Sequence, residues 1–233
     1  MGFLKIKGLN KIYNENKAKE VQVHALKGLN FEVEQGDFIV VSGPSGSGKT
    51  TLLNMLGGLD AATSGEVLFE DTDITKLKER QLTEVRLFKM GFIFQAYNLI
   101  PVLTAMENIE YPMMLQGVPL EERQEKVKKL AEHLGIAELL NKRPNEMSGG
   151  QQQRVAVARS IVSEPMLVLA DEPTANLDSK TGERLIELMK VMNHEKKITF
   201  IFSSHDQMVI SKAERSIVLK DGEILSDQRN NIG

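Results

Sequence analysis

Cysteine is absent from this chain of 233 residues. Its absence excludes disulfides, thiolate-ligated zinc and palmitoylation, and it suits a reducing compartment. Excess positive charge is absent too. Lys and Arg number 29 against 32 Asp and Glu, a net charge of -3, so no basic face announces nucleic acid and none is expected as a partner. No apolar run approaches the roughly 18 residues that cross a bilayer. The opening Met1-Gly-Phe-Leu-Lys-Ile6 lacks a signal-peptide pattern, and Ile6 stands where myristoylation asks for Ser or Thr. If the protein works at a membrane, a partner is expected to hold it there. Histidine (four residues) and tyrosine (three) are scarce, which makes their placement informative.

What is present reads as an α/β protein, with 41% hydrophobic and 26% charged residues and enough length for a sizeable core. Short strands are expected at 4–9, 21–25, 29–33 and 38–42, with turn chemistry at Glu34-Gln-Gly-Asp37. Phe38-Ile-Val-Val-Ser42 is nearly all apolar, as a strand covered on both faces must be. A helix over 49–56 follows, and a strand over 91–95. From about 107 to 140 the spacing is helical, punctuated by Pro112, Gly117 and Pro119. Strand–helix alternation resumes at 166–170 and continues through 220. The expectation is a single domain: an α/β core at 1–96 and 163–233, interrupted by a helical insertion at 97–162.

The chemistry begins at Gly43-Pro44-Ser45-Gly46-Ser47-Gly48-Lys49-Thr50, which fits the P-loop pattern after a buried strand. Its glycines permit a tight turn that aims backbone N–H groups at phosphate oxygens. Lys49 is placed to reach the β- and γ-phosphates, Thr50 to ligate Mg²⁺, and Thr51 to add a phosphate donor. The loop alone does not name an enzyme, because kinases, GTPases and motor ATPases share it. A second apolar strand ends in Asp171-Glu172-Pro173, beyond the carboxyl edge where ligands of open α/β sheets sit. Asp171 there can hold Mg²⁺. Glu172, expected on the opposite face by strand alternation, can position and deprotonate an attacking water. His205 follows another apolar strand and can contact a γ-phosphate, although a structural histidine fits as well; His24, His133 and His194 read as surface residues. Gln95 ends the strand at 91–95, where an amide can contact Mg²⁺ and water or merely cap the strand. Tyr13 can stack on an adenine ring or simply pack. A second Gly-rich helix start, Ser148-Gly149-Gly150-Gln151, makes a further anion site. An N-cap serine alone does not need two glycines, which cost helix stability unless backbone must approach something closely.

In this order, Tyr13, residues 43–50, Gln95, residues 148–151, Asp171-Glu172, Asp178 and His205, the chain resembles the ATP-binding-cassette ATPases over nearly its whole length. The resemblance implies a P-loop NTPase core of mixed sheet with an antiparallel N-terminal β subdomain and an inserted α-helical subdomain. It also implies a homodimer on ATP binding, in which each ATP lies between one subunit's P-loop and the other's signature loop at Ser148–Gln151, with Asp178 at the interface. The stretches 91–100, 148–154 and 172–178 look like the subgroup serving lipoprotein release, macrolide export, peptide-antibiotic resistance and cell division. That implies ATP and Mg²⁺ as cofactors, an integral membrane permease with an extracytoplasmic domain as partner, and a cytoplasmic location on the inner face of the membrane. The alternative is a non-transport ATPase that regulates a cell-division or cell-wall enzyme through a membrane partner. Chromosome-maintenance ATPases share the signature but insert long coiled coils, whereas here Ser148 follows Gln95 by only 53 positions, without sustained heptads. Met147 stands where Leu is usual, Ala175 where Gly is frequent and Ser204 where Thr is common; none removes a catalytic group.

Overall fold

The computed structural model describes residues 3–230. Among the described residues, two sheets and seven α-helices are built in the order β1 (Leu4–Tyr13), β2 (Val23–Val33), β3 (Phe38–Ser42), α1 (Lys49–Leu56), β4 (Ser64–Phe69), β5 (Thr72–Asp73), α2 (Glu79–Lys89), β6 (Met90–Ile93), α3 (Ala105–Leu115), α4 (Leu120–His133), α5 (Gly149–Ile161), β7 (Leu167–Ala170), α6 (Ser179–Lys196), β8 (Thr199–Ser203), α7 (Gln207–Lys212), β9 (Arg215–Lys220) and β10 (Glu223–Arg229). The larger sheet runs β10-β9-β3-β8-β7-β6, parallel throughout except for the β10 edge. The smaller, β2-β1-β4-β5, is antiparallel.

Strand alternation divides the interior. Ile39 and Val41 of β3 face α1 and the small sheet, in a core shared with Leu4, Leu26, Leu52, Leu56 and Phe69. Phe38 and Val40 face the other way, onto Phe200, Phe202, α6 and α7. Phe38 is opposite Phe200 in the parallel register and lies 4.9 Å, centroid to centroid, from Phe202, a tilted aromatic contact that adds about 0.5–1.5 kcal/mol to the burial. A third core gathers Ile109, Met113, Val127, Ala131, Met147 and Val155 among α3, α4 and α5.

The elements differ from expectation where polarity hides them. The strands expected at 21–25 and 29–33 are one strand, β2, because Gly28 at φ +61° and shifts of register against β1 accommodate the break. The helical stretch expected over 107–140 begins at Ala105 and is two helices, parted at Gly117-Val118-Pro119, followed by a short 3₁₀ turn. β4, β5, α2 and β10 carry no clear hydropathy signal; α2 has no buried residue at all. The strand expected to run to Gln95 ends at Ile93, so Gln95 sits in a turn beyond the edge.

Candidate active site

The loop between β3 and α1 is shaped by its neighbours. A Cβ on Gly43 would meet the Leu219 carbonyl oxygen at 2.0 Å, and one on Gly48 the Ala25 carbonyl oxygen at 2.6 Å. Both positions also have positive φ, so only glycine fits. Gly48 caps α1 without any side-chain acceptor, leaving the first-turn N–H groups and the positive end of the helix dipole directed at the loop's hollow. The Lys49 ammonium lies across the loop, donating to the carbonyls of Gly43 (2.9 Å) and Pro44 (3.0 Å). The Ser47 hydroxyl is buried with no partner among the described residues. Behind the loop, the turn joining β9 to β10 acts as a backstop. The Gly222 N–H donates to the Ser47 carbonyl (3.1 Å), and Lys27 N–H donates to the Gly222 carbonyl (2.9 Å).

At the ends of β7 and β8 the acidic pair is held in a chain of hydrogen bonds. Thr50 Oγ1 donates to Asp171 Oδ2 at 2.9 Å, and Ser203 Oγ donates to Asp171 Oδ1 at 2.6 Å. The same Ser203 hydroxyl accepts the Glu172 N–H at 2.8 Å. β7 has already ended at Ala170, so strand alternation is not what separates the two carboxylates. Glu172 sits at φ +46°, a left-handed conformation uncommon for a side chain of this size. Its carboxylate is mostly shielded and lies 3.0 Å from Nδ1 of the exposed His205.

These groups share one cavity of about 820 Å³, within the range of small-molecule sites. Tyr13, Ser45, Gly46, Gly48, Lys49, Thr50, Thr51, Gln95, Asp171, Glu172 and His205 all line it. Gly43, Pro44 and Ser47 belong to the loop but not to the lining. The structure adds Val23, His24, Ala25, Lys27, Asp221 and Gly222. His24 is exposed as expected, yet it stands on the rim, 3.3 Å from Asn10 Oδ1. Nothing local in the sequence marks this group, because strand pairing of β1 with β2 and docking of the β9–β10 turn bring it to the cavity.

The second Gly-rich start lies elsewhere. Ser148 caps α5, its Oγ accepting from Gln151 N–H (3.3 Å) while Gln151 Oε1 accepts from Ser148 N–H (2.9 Å). A Cβ on Gly149 would lie 2.9 Å from the Tyr97 hydroxyl, and one on Gly150 3.3 Å from a Thr181 methyl. None of residues 148–151 borders the cavity, and neither does Asp178. Asp178 caps α6 and is held below the usual carboxylate range by hydrogen bonds from the Thr181 hydroxyl and N–H. The turn with Gln95 links the two regions. Asn176 Nδ2 donates to the Gln95 carbonyl (3.0 Å), and Arg159 of α5 donates to the carbonyls of Tyr97 (2.8 Å) and Asn98 (2.6 Å).

Residues 26–175 match the ABC transporter family. An uncharacterised ABC transporter ATP-binding protein of Thermotoga maritima is 46% identical over 213 residues, 91% of each chain. The macrolide export ATP-binding/permease protein MacB of Aggregatibacter actinomycetemcomitans is 43% identical over 227 residues, 97% of this chain but 35% of that longer one. Among solved structures, a dimeric post-hydrolysis state of the ATP-binding cassette MJ0796 of Methanocaldococcus jannaschii, bound to ADP and Pi, superposes with a TM-score of 0.89 at 41% identity, over 97% of this chain and 98% of that one. With a phosphate loop, an acidic strand end and a histidine around one cavity, and with relatives that match at least 91% of this chain, the chain belongs to the ABC transporter family as its ATP-hydrolysing cassette.

Proposed function

We propose that two copies of this chain close on two ATP molecules, each bound by residues 43–51 of one copy and by Ser148–Gln151 of the other. The observation that carries this reading is the half-built site: one chain lines the cavity with its phosphate loop, carboxylates and histidine, while its own signature loop lies outside. The dimer described for MJ0796 supports it. Asp178, on the same outer side, belongs to the contact between copies. In turnover, Lys49 leaves the Gly43 and Pro44 carbonyls and turns to the phosphates. Glu172 orients a water and takes its proton as the water oxygen bonds to the γ-phosphorus and the bond to the ADP oxygen breaks. His205 holds the Glu172 carboxylate and a γ-phosphate oxygen, and Gln95, on the same lining, contacts the water.

The residues present fit Mg²⁺ carried by the nucleotide. Thr50 Oγ1 and Asp171 Oδ2 are hard oxygen donors already 2.9 Å apart, and Gln95 adds an amide. No group of three or more His, Cys, Asp or Glu forms a metal cage among the described residues, in keeping with an ion that takes few protein ligands and leans on phosphates. When bound, Mg²⁺ neutralises charge on the phosphates.

The partner reading is a membrane permease driven by this closure, in mechanotransmission or export; the export reading is supported by MacB, a macrolide export ATP-binding/permease protein. No helix among the described residues is long and apolar enough to cross a membrane, so the cassette is proposed to sit on the inner face through that partner. A cleft of about 400 Å³ between α2, β6 and α3, walled by Leu59, Leu87, Phe92, Tyr111 and Leu115, lies next to Phe94 and Asn98 of the Gln95 turn and is the proposed seat of a short apolar helix of such a permease. Met90 lines it, whereas Met113 is buried in the helical core and Met114 is exposed outside it. Residues 97–162 act as the lever between cleft and signature loop. ATPase rate measured against protein concentration tests the shared site. Specific activity rises with concentration if two copies complete it, and stays constant if one chain suffices.

A further inference from the structure

Tyr13 ends β1 with its hydroxyl donating to Asp60 Oδ2 at 3.0 Å. Asp60 belongs to the loop after α1, 47 residues away. Its other oxygen accepts from Lys11 Nζ (2.8 Å) and from the Ala61 N–H (2.8 Å). Lys11 is buried, donates also to the Ala61 carbonyl (2.7 Å), and stands 4.7 Å from the centroid of the Tyr13 ring, a cation–π distance. Burial alone would raise the Asp60 carboxyl, but the hydrogen bonds from Lys11 and Tyr13 outweigh it and hold it below its usual range. The loop is sewn to both its neighbours. Leu59 N–H donates to the Asn54 carbonyl of α1 (2.8 Å), Thr63 N–H to the Asn10 carbonyl (2.9 Å), and Ile12 N–H to Thr63 Oγ1 (3.0 Å).

An exposed tyrosine at a strand end has two free side-chain torsions, and here both are spoken for. Lys11 covers one ring face, Asp60 fixes the hydroxyl, and Tyr13 borders the cavity. The first turn of α1 carries the phosphate donors, and its last turn carries the loop with Asp60. A helix of eight residues is about 12 Å long, so the two ends of a bound nucleotide are spaced by one rigid element. We infer that Asp60, with Lys11, is a positioning residue that locks the Tyr13 ring as a base platform at a set distance from the phosphate loop. This rests on the reading of Tyr13 as the adenine-stacking residue. Pre-ordering the ring removes rotamer entropy that binding would otherwise cost.

The test compares ADP with inorganic pyrophosphate, which has the phosphates but no base, by calorimetric titration of the intact chain. Asp60→Asn and Tyr13→Phe are each expected to weaken ADP about threefold and leave pyrophosphate unchanged. The double variant is expected to be no weaker than the weaker single one, since both act through the same Tyr13–Asp60 contact. Equal losses for ADP and pyrophosphate in Asp60→Asn would show that Asp60 only supports α1, and would overturn the inference. Tyr13→Ala separates it from the underlying reading. If that variant weakens ADP while Tyr13→Phe does not, the ring stacks but the clamp is irrelevant; if Tyr13→Ala has no effect, the stacking itself fails. Tyr13→Phe only removes a hydroxyl, so it carries the test even if Asp60→Asn does not fold.

Discussion

Thr50 and Asp171, 121 residues apart in the chain, are joined by a 2.9 Å hydrogen bond across the mouth of the cavity. Thr50 lies in the first turn of α1, and Asp171 is the first residue beyond β7. Parallel strands with short edge loops deliver such residues to one edge of the sheet, and Ser203, at the end of the strand next to β7, anchors the second Asp171 oxygen.

Glu172→Gln is expected to bind ATP while its turnover falls at least tenfold, about 1.4 kcal/mol of barrier. Light scattering with ATP is expected to find this variant as dimers. Unchanged turnover would remove Glu172 from the role of base, and a persistent monomer at high concentration would count against the shared site.

Lys49→Ala removes the one ammonium of the phosphate loop. Its affinity for ATP is expected to drop tenfold or more, about 1.4 kcal/mol, as read by titration calorimetry. Binding equal to that of the unmodified chain would contradict the reading of residues 43–50.

Gly222→Ala probes the backstop of the loop. Gly222 has φ +81°, and an added Cβ would stand 2.8 Å from the Ala25 carbonyl oxygen. The strain is worth ~1–3 kcal/mol, a fall of roughly 2–12 °C in Tm for a domain of this size. Nucleotide affinity is expected to fall with it, and a variant that melts and binds normally would show that the turn does not hold the loop.

Glu107 predicts part of the acid response. The N–H and hydroxyl of Thr104 both donate to its carboxylate (2.7 and 2.9 Å) and hold it below its usual range. A depressed folded-state pKa means stability that is present above the unfolded value, roughly 4 to 4.5, and lost as pH falls toward the folded value. Urea denaturation between pH 5 and pH 3 is expected to show a smaller loss for Glu107→Gln than for the unmodified chain; an equal loss would exclude Glu107 as a contributor.

Much of the core was legible because its strands are covered on both faces. Residues 38–42 and 199–203 and helix 49–56 have the bounds that their apolar runs and glycines indicate. α2 and β10 were not, since a helix with no buried residue and an edge strand with alternate residues in solvent leave little hydropathy contrast. The cavity's phosphate and acidic walls follow from contiguous motifs. Its other wall, from Val23 to Lys27 and at Asp221-Gly222, is assembled by pairing between distant strands and carries no local signature.

The hydrogen bond from Gly222 to Ser47 also has a timing consequence. The phosphate loop is translated early, but the oxygen of Leu219 and the amide of Gly222 that mould it arrive some 170 residues later. During synthesis, therefore, residues 43–50 emerge before the strand and turn that back them, and the loop gains these native contacts only after β9 and the β9–β10 turn have been made.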